Sequence, residues 1–400
     1  MDPRTNPFAP GAGTQPPELT GRQDLLEQAE IALARVKAGR PAKSFIGVGL
    51  RGVGKTVLLN RIREMASDTG TKTVLVEAHE DKTLSELIAP PLRRLLLDLD
   101  RLGAINATVK RSLGVFKSFL SNIKLRYGEA ELALDIEPEA GAADSGDLEA
   151  DLPELFAAVG HAAQARGVAV VLLIDEIQYL GRRDMSALIM AMHRLSQERL
   201  PVLLVAVGLP QVVALSGRSK SYAERLFDFP VVDALAYDDA ERALRLPVAE
   251  QGIEFAPDAL QTIIATTQGY PYFLQEWAYH VWNVAASSPI VMDDVTRATP
   301  KVMAMLDDGF FRVRFDRLTP TEKTYLRAMA ELGPGPYRSG DIAVKLDRKV
   351  TSLGPLRSGL IGKCMIYSLA HGDTAFTVPL FDAYLRRIMP AFHAPSRAQS

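Results

Sequence analysis

The chain has 400 residues, of which 47% are hydrophobic and 24% charged, with a formal net charge of -2. At roughly 150 residues per domain this length predicts two or three domains, and the composition excludes wholesale disorder, collagen-like repeats and low-complexity tracts. The single cysteine, Cys364, excludes an internal disulfide and a cysteine zinc site.

Residues 1–18, rich in Pro, Gly and Thr, read as an extended arm, without the basic start and apolar core of a signal peptide. Residues 21–39 carry apolar positions at helical spacing (Leu25, Ala29, Leu33, Val36). A short apolar strand at 44–48 runs into a glycine-rich turn, then a helix at 57–66 and a second strand at 73–77. Residues 84–120 read as two helices parted at Gly103. Alternating segments at 122–127 and 131–136, turned at Gly128, predict a hairpin. The acidic stretch 137–149 reads as a loop and 152–165 as a helix.

Residues 168–174 form the longest fully apolar run. A bilayer span needs about 20 such residues, so no membrane segment is expected and a cytoplasmic location fits. The run lacks polar alternation, as a parallel strand buried on both faces should. A helix at 185–199 and another buried strand at 202–207 follow. This alternation predicts a doubly wound α/β domain with a parallel sheet. Beyond about residue 235 the pattern becomes all-helical, at 238–251, 257–268, 272–285 and 292–307.

The C-terminal part changes again. Thr319-Pro320-Thr321-Glu322 combines an N-cap, a first-turn Pro and a capping-box Glu. Helices at 320–332, 339–346 and 351–361, with a hairpin about His371-Gly372-Asp373, predict a winged helix-turn-helix. Residues 311–400 hold 14 Lys and Arg against 7 Asp and Glu, so this module carries +7 and the rest of the chain −9. Such an asymmetry points to a polyanion partner for that module.

Two motifs carry chemistry. Gly49-Leu50-Arg51-Gly52-Val53-Gly54-Lys55-Thr56 matches G-x-x-x-x-G-K-[ST] between a strand and a helix. Gly49, Gly52 and Gly54 allow turns that aim amide N–H groups at a phosphate, Lys55 supplies a cation for the β- and γ-phosphates, and Thr56 offers a hydroxyl to Mg²⁺. The ATP-binding segment therefore runs from Gly49 through Val57 and includes Leu50, Arg51 and Val53. The second motif, Asp175-Glu176, ends the most apolar strand. Asp175 is expected to meet Mg²⁺, from a strand neighbouring that of the glycine loop, and Glu176 to polarise water as general base. Adjacent carboxylates there cost free energy unless the strand ends at a site.

With these motifs, the four-helix segment and the terminal winged helix, the chain resembles an AAA+ ATPase. The resemblance is to the initiator, origin-recognition-like branch, with the STAND type as a related alternative, and spans roughly residues 15–390. Pro17-Glu18-Leu19-Thr20-Gly21-Arg22 resembles the segment that packs on adenine, which implies Leu19 and Arg22 as base contacts. Gly269-Tyr270-Pro271 resembles the motif closing over the nucleotide, which implies Pro271. The resemblance sets an N-terminal arm at 1–18, an ATPase core at 19–235 with an insertion at about 84–151, a helical lid at 236–310 and a winged-helix domain at 311–400. It further implies assembly into a homo-oligomer when ATP is bound.

The chain departs from that pattern in two places. The strand after Asp-Glu ends Val207-Gly208-Leu209-Pro210-Gln211, leaving Gln211 as the one candidate for a polar sensor. Where a second sensor arginine would follow the lid glycine stand Tyr272 and Phe273, which favours a slow switch over a motor. Arg225, with Arg218 as alternative, is the candidate for an arginine supplied in trans to the γ-phosphate; its competing reading is a surface arginine paired with Glu224 or Asp228. Arg348, Lys349, Arg357 and Lys363, with the His371 turn as wing, are the candidate contacts to duplex DNA. Gly354-Pro355 is expected to shorten or kink the reading helix. The competing reading is a module that docks a protein partner or effector.

Overall fold

The computed structural model describes residues 1–11, 13–102, 105–122, 137–333, 335–368 and 372–392. Residues 123–136 of the expected hairpin, the helix break at Gly103 and the wing tip at His371 lie outside them, while Asn122, expected to open the hairpin, ends a helix instead. The described chain divides into two compact units, one of residues 21–49 and 54–233, the other of residues 1–20, 50–53 and 234–400.

The first unit is built on five parallel strands, β1 (Ser44–Val48), β2 (Lys72–Glu77), β3 (Val170–Asp175), β4 (Val202–Gly208) and β5 (Phe227–Asp228), in the order β2-β3-β4-β1-β5. β1 and β3 are buried along their whole length, which is why they read as unbroken apolar runs. Helices pack on this sheet; Leu58, Leu59 and Ile62 of Lys55–Asp68 and Leu188, Ile189 and Met192 of Arg182–Gln197 are buried.

The order corrects one expectation. β3 is not a neighbour of β1, because β4 lies between them and pairs with both. Thr56 and Asp175 still meet because the helix Lys55–Asp68, which follows the glycine loop after β1, contacts both β4 and β3. The Leu84–Arg101 and Ala107–Asn122 helices appear as expected, the first opened by a capping box at Thr83 and Glu86. The helix expected from residue 152 starts earlier, at Leu148–Ala165, because Asp147 caps it and Pro153 is accommodated in its first turns.

In the second unit the N-terminal arm is anchored rather than free. Asn6 Nδ2 donates to the Tyr279 carbonyl and to Asn283 Oδ1, both at 3.0 Å, and Phe8 is buried. Trp282 Nε1 donates to the Asp2 carbonyl. Trp277 and Trp282 fill the core of the helices Tyr237–Ala249, Pro257–Thr267, Pro271–Val284 and Met292–Met305. The last of these does not end at 307. It passes through a π-helical turn, Leu306–Phe311, into Arg312–Phe315.

The remaining chain forms helices Pro320–Glu331, Ser339–Lys345, Val350–Gly362 and Phe381–Ile388 with an antiparallel sheet β6 (Tyr337–Arg338), β8 (Asp373–Phe376) and β7 (Ile366–Tyr367), in the order β6-β8-β7. Val350–Gly362 runs on through Pro355. The capping box read at residues 319–322 is formed. The Glu322 N–H donates to Thr319 Oγ1 at 3.3 Å, and Glu322 Oε2 accepts from the Thr319 N–H at 2.7 Å. Replacing Thr319 with Ala should lower the stability of this module by about 1 kcal/mol. The midpoint of denaturant unfolding, followed by a probe in residues 320–390, measures that loss, and an unshifted midpoint would remove the cap from the account.

Candidate functional site

The glycine loop leaves the buried end of β1. Gly49 continues the sheet, its N–H donating to the Gly208 carbonyl at 3.0 Å. The left-handed conformations fall on Gly52 (φ 84°) and Gly54 (φ 87°), with Gly54 capping the helix Lys55–Asp68. Of the three glycines read as turn residues, these two need glycine's freedom, whereas Gly49 has no positive φ. The loop thus ends on a helix N-terminus with its amide groups unsatisfied by the helix itself, a natural anion site. Lys55 and Thr56 are the first residues of that helix, and Val57 follows. Lys55 is buried, at 6% exposure.

Across β4, Asp175 ends β3 with 7% exposure. Thr56 Oγ1 donates to Asp175 Oδ2 at 2.7 Å, and the Glu176 N–H donates to Asp175 Oδ1 at 2.8 Å. Burial raises the Asp175 carboxyl above its usual range. The Thr56 hydrogen bond opposes that rise, the Glu176 charge adds to it, and Lys55 opposes it. A hydroxyl and a carboxylate converging at this distance are hard oxygen ligands suited to Mg²⁺, which keeps most of its waters and takes few protein ligands. Thr56 and Asp175 would hold it. Among the described residues no group of three or more His, Cys, Asp or Glu side chains could hold a metal ion.

Glu176 is half-buried and takes a left-handed backbone (φ 51°, ψ 36°) at the head of a short 3₁₀ turn, Ile177–Tyr179. A non-glycine residue there is uncommon and marks a constrained position. The turn carries Gln178 back beneath the carboxylate, where its Nε2 donates to Glu176 Oε2 and its Oε1 accepts from the Leu209 N–H at 2.9 Å. Gln178 was not among the residues read from the sequence. Its signal, an amide two residues beyond Asp-Glu, gains meaning only beside the end of β4.

The other candidates are placed as follows. Gln211 opens the helix Gln211–Ser219, three residues beyond the last residue of β4. Arg22 is buried and its guanidinium donates to the carbonyls of Gly21 and Asp233, so it fastens the chain ahead of the Gln23–Lys37 helix. Leu19 is half-buried. Pro271 is the first residue of its helix, after Gly269, whose φ is +70° and which passes so close to the Leu235 carbonyl that a Cβ would lie 2.3 Å from it. Arg225 lies on the Ala223–Leu226 turn just before β5, whose Phe227 pairs with Ser44 at the start of β1. There it helps line a cavity of about 210 Å³ with Arg40, Lys43 and Arg199. That is the end of β1 opposite the glycine loop, so Arg225 does not meet the phosphates of its own loop. Lys43 pairs with Asp228 at 2.6 Å, which removes that partner from Arg225. Arg218 sits in the last turn of Gln211–Ser219.

In the C-terminal module Arg348 and Lys349 are exposed. Arg357 instead donates to Thr374 Oγ1 (2.9 Å), Ser368 Oγ (2.9 Å) and the Asp373 carbonyl (3.1 Å), tying its helix to β8. Lys363 Nζ pairs with Glu322 Oε2 at 2.7 Å and donates to the Arg317 carbonyl.

A five-stranded parallel sheet with a glycine loop after β1 and an acidic pair at the end of β3, one strand apart across β4, defines an AAA+ P-loop ATPase fold. Residues 18–205 match the AAA ATPase domain family, and residues 308–385 match a family described as Domain of unknown function (DUF8462). No curated protein matches the chain in sequence. Among solved structures, a Walker-type ATPase of Pyrococcus abyssi is 17% identical with a TM-score of 0.59, over 93% of this chain and 97% of that one. At that identity the likeness is one of fold. Cdc6p from Pyrobaculum aerophilum is 17% identical with a TM-score of 0.46, over 98% of each chain. The Orc1 protein of Aeropyrum pernix, solved in complex with DNA, is 16% identical with a TM-score of 0.45, over 93% of this chain and 94% of that one. Among the described residues no helix is long and apolar enough to cross a membrane.

Proposed function

We propose that the chain is an ATP-binding and hydrolysing switch whose nucleotide state controls its C-terminal module. The observation that carries this reading is a hydrogen bond inside the phosphate loop: the Arg51 N–H donates to the Thr377 carbonyl at 3.3 Å. Thr377 follows β8 directly, so the loop and the C-terminal module share a backbone bond. Beside it, the Gly52 carbonyl accepts from the Tyr272 N–H at 3.1 Å. A nucleotide that draws the loop amides to its phosphates acts on both contacts.

Aromatic packing extends the linkage. The Tyr272 ring stacks on Phe310 at 4.9 Å, Phe310 meets Phe311 edge-on at 5.4 Å, and Phe311 stacks on Tyr384 at 5.1 Å in the last described helix. Phe310 and Phe311 belong to the π-helical turn, a distortion frequent at functional sites. Burial, with the Glu276 carboxylate beside it, pushes the Tyr272 phenol far up, so it stays a neutral donor to Glu276 Oε1 at 2.8 Å.

In the reaction this reading requires, Lys55 and the loop amides hold the β- and γ-phosphates, Thr56 and Asp175 hold Mg²⁺, and Glu176 takes a proton from the attacking water. Mg²⁺, when bound, neutralises charge on the phosphate oxygens. Leu19, Arg22 and Pro271 remain the candidate base contacts. Arg225 can serve the γ-phosphate of a neighbouring copy, which makes assembly with ATP part of the proposal.

Three of the four helices of the C-terminal module, with its small antiparallel sheet, fit a winged helix, and we propose that it contacts duplex DNA through Arg348 and Lys349. Each phosphate contact contributes about −0.9 to the slope of log K against log salt. Removing both side chains should therefore flatten that slope by about 1.8, and an unchanged slope would exclude them from the interface. The internal bonds of Arg357 and Lys363 favour a second reading, a STAND-like scaffold that presents this face to an acidic protein partner. Duplex DNA affinity of the Glu176→Gln protein, measured by anisotropy at low salt with and without Mg·ATP, tests the switch. The proposal expects a several-fold difference. Equal affinities would uncouple the module from the nucleotide, and no binding in either state would leave the scaffold reading.

A further inference from the structure

AAA+ chains usually place a polar side chain at the end of the strand beside the Asp-Glu strand. β4 ends here in Gly208-Leu209, with no polar side chain at that station. From the geometry around it we infer that Gln178 takes that station from the turn after β3, as the positioning residue that ties the Glu176 carboxylate to the end of β4. The inference rests on the ATP-hydrolysing role of Glu176 proposed above.

The side chain has one orientation that satisfies it. Its Oε1 accepts from the Leu209 N–H, a backbone donor that cannot reverse its role. That leaves Nε2 for Glu176 Oε2, a carboxylate that accepts only. A flipped amide would set N–H against N–H at Leu209 and oxygen against carboxylate at Glu176, so both ends fix the same assignment. Gln178 is 8% exposed, and losing either partner would leave a buried polar atom unpaired, which is costly.

The surroundings are shaped for this bridge. A Cβ on Gly208 would lie 2.7 Å from Gln178 Oε1 and 2.9 Å from both Ile177 and Val212. Gly208 has no positive φ, so glycine is needed there for room, and the room is occupied by Gln178. On the other side, the left-handed turn at Glu176 brings Gln178 within reach of the carboxylate two residues earlier. Three unusual local features thus serve one contact: a strained Glu176, a glycine closing β4 and a buried amide.

The consequence for catalysis is geometric. A glutamate side chain has three rotatable bonds, and a general base acts only from hydrogen-bonding distance of its water. Gln178 holds one oxygen of the carboxylate and so restricts where the group can sit. Because its second bond ends on β4, a movement of that strand end passes to the base. A misplacement of about 1 Å at such a group costs on the order of 10²-fold in rate.

The test uses full-length protein and four measurements: ATP affinity, thermal midpoint, KM for ATP and kcat. Gln178→Met keeps length and bulk and removes both hydrogen bonds. It should lower kcat about 10–10²-fold with ATP affinity and KM within about twofold of the parent. Gly208→Ala, which removes no polar group, should reproduce the loss by displacing the amide. In a Glu176→Gln background, Gln178→Met should cost almost nothing further, since the group it positions is gone. A Gln178→Met protein that turns over like the parent overturns the inference. So does a loss that multiplies with that of Glu176→Gln, or one that appears as weaker ATP binding. If Gln178→Met does not fold, Gly208→Ala alone and combined with Glu176→Gln decides by the same two criteria. Failure of the underlying reading looks different: parent and Glu176→Gln would then hydrolyse ATP at the same rate.

Discussion

Glu176→Gln should bind ATP like the parent and turn it over about 10²–10⁴-fold more slowly, the usual contribution of a positioned general base. The substitution keeps the side chain's shape and removes its charge. It retains an oxygen that can accept from Gln178 Nε2, so the 3₁₀ turn at Ile177–Tyr179 and the bridge to Leu209 should persist. Asp175 keeps its bonds to Thr56 Oγ1 and to the backbone of residue 176, so the two proposed Mg²⁺ ligands are undisturbed. Binding and turnover should therefore separate. Single-turnover release of inorganic phosphate measures the second, and a rate equal to the parent's would move the catalytic carboxylate elsewhere.

Lys55→Ala acts one step earlier. Lys55 is buried at the N-terminus of its helix, where the proposed reading has its ammonium group and the loop amides hold the same phosphates. A hydrogen bond to a charged group contributes about 1.5–3 kcal/mol, so ATP should bind on the order of 10–10²-fold more weakly. The loss should be in affinity first, with turnover falling as a consequence. Calorimetric titration with Mg·ATP reads it directly. An unchanged dissociation constant would show that the phosphates are not held by this loop.

Much of this architecture was legible in the sequence, for identifiable reasons. β1, β3 and β4 are buried in a parallel sheet and so carry largely apolar runs without polar alternation, the run at 168–174 being the longest in the chain. The phosphate loop was legible because its glycine positions are backbone requirements, and Gly52 and Gly54 meet them. The capping box at Thr319 and Glu322 was local enough to be read to the residue.

What the sequence withheld depends on which elements lie side by side. That β4 separates β1 from β3 follows from strand order, which no local pattern encodes. Gln178 looks like any polar residue in a turn until Gly208 and Leu209 are set beside it. Charge counting could not distinguish Arg348 and Lys349, which face solvent, from Arg357 and Lys363, which brace their own module. The last described helix, Phe381–Ile388, is only eight residues long. Its buried positions Phe381, Tyr384 and Leu385 do follow a helical period, a signal too short to stand out.

The central claim is that nucleotide binding at the loop is felt in the C-terminal module, and amide hydrogen exchange tests it most directly. The Tyr272 N–H lies in the first turn of its helix, where no intrahelical acceptor exists, so its protection reports the bond to the Gly52 carbonyl. Residues 372–380 report the module that Thr377 ties to Arg51. In the Glu176→Gln protein, saturating Mg·ATP should accelerate exchange at Tyr272 and across 372–380 relative to the nucleotide-free protein. Identical exchange at both places, with ATP bound at the loop, would contradict the account.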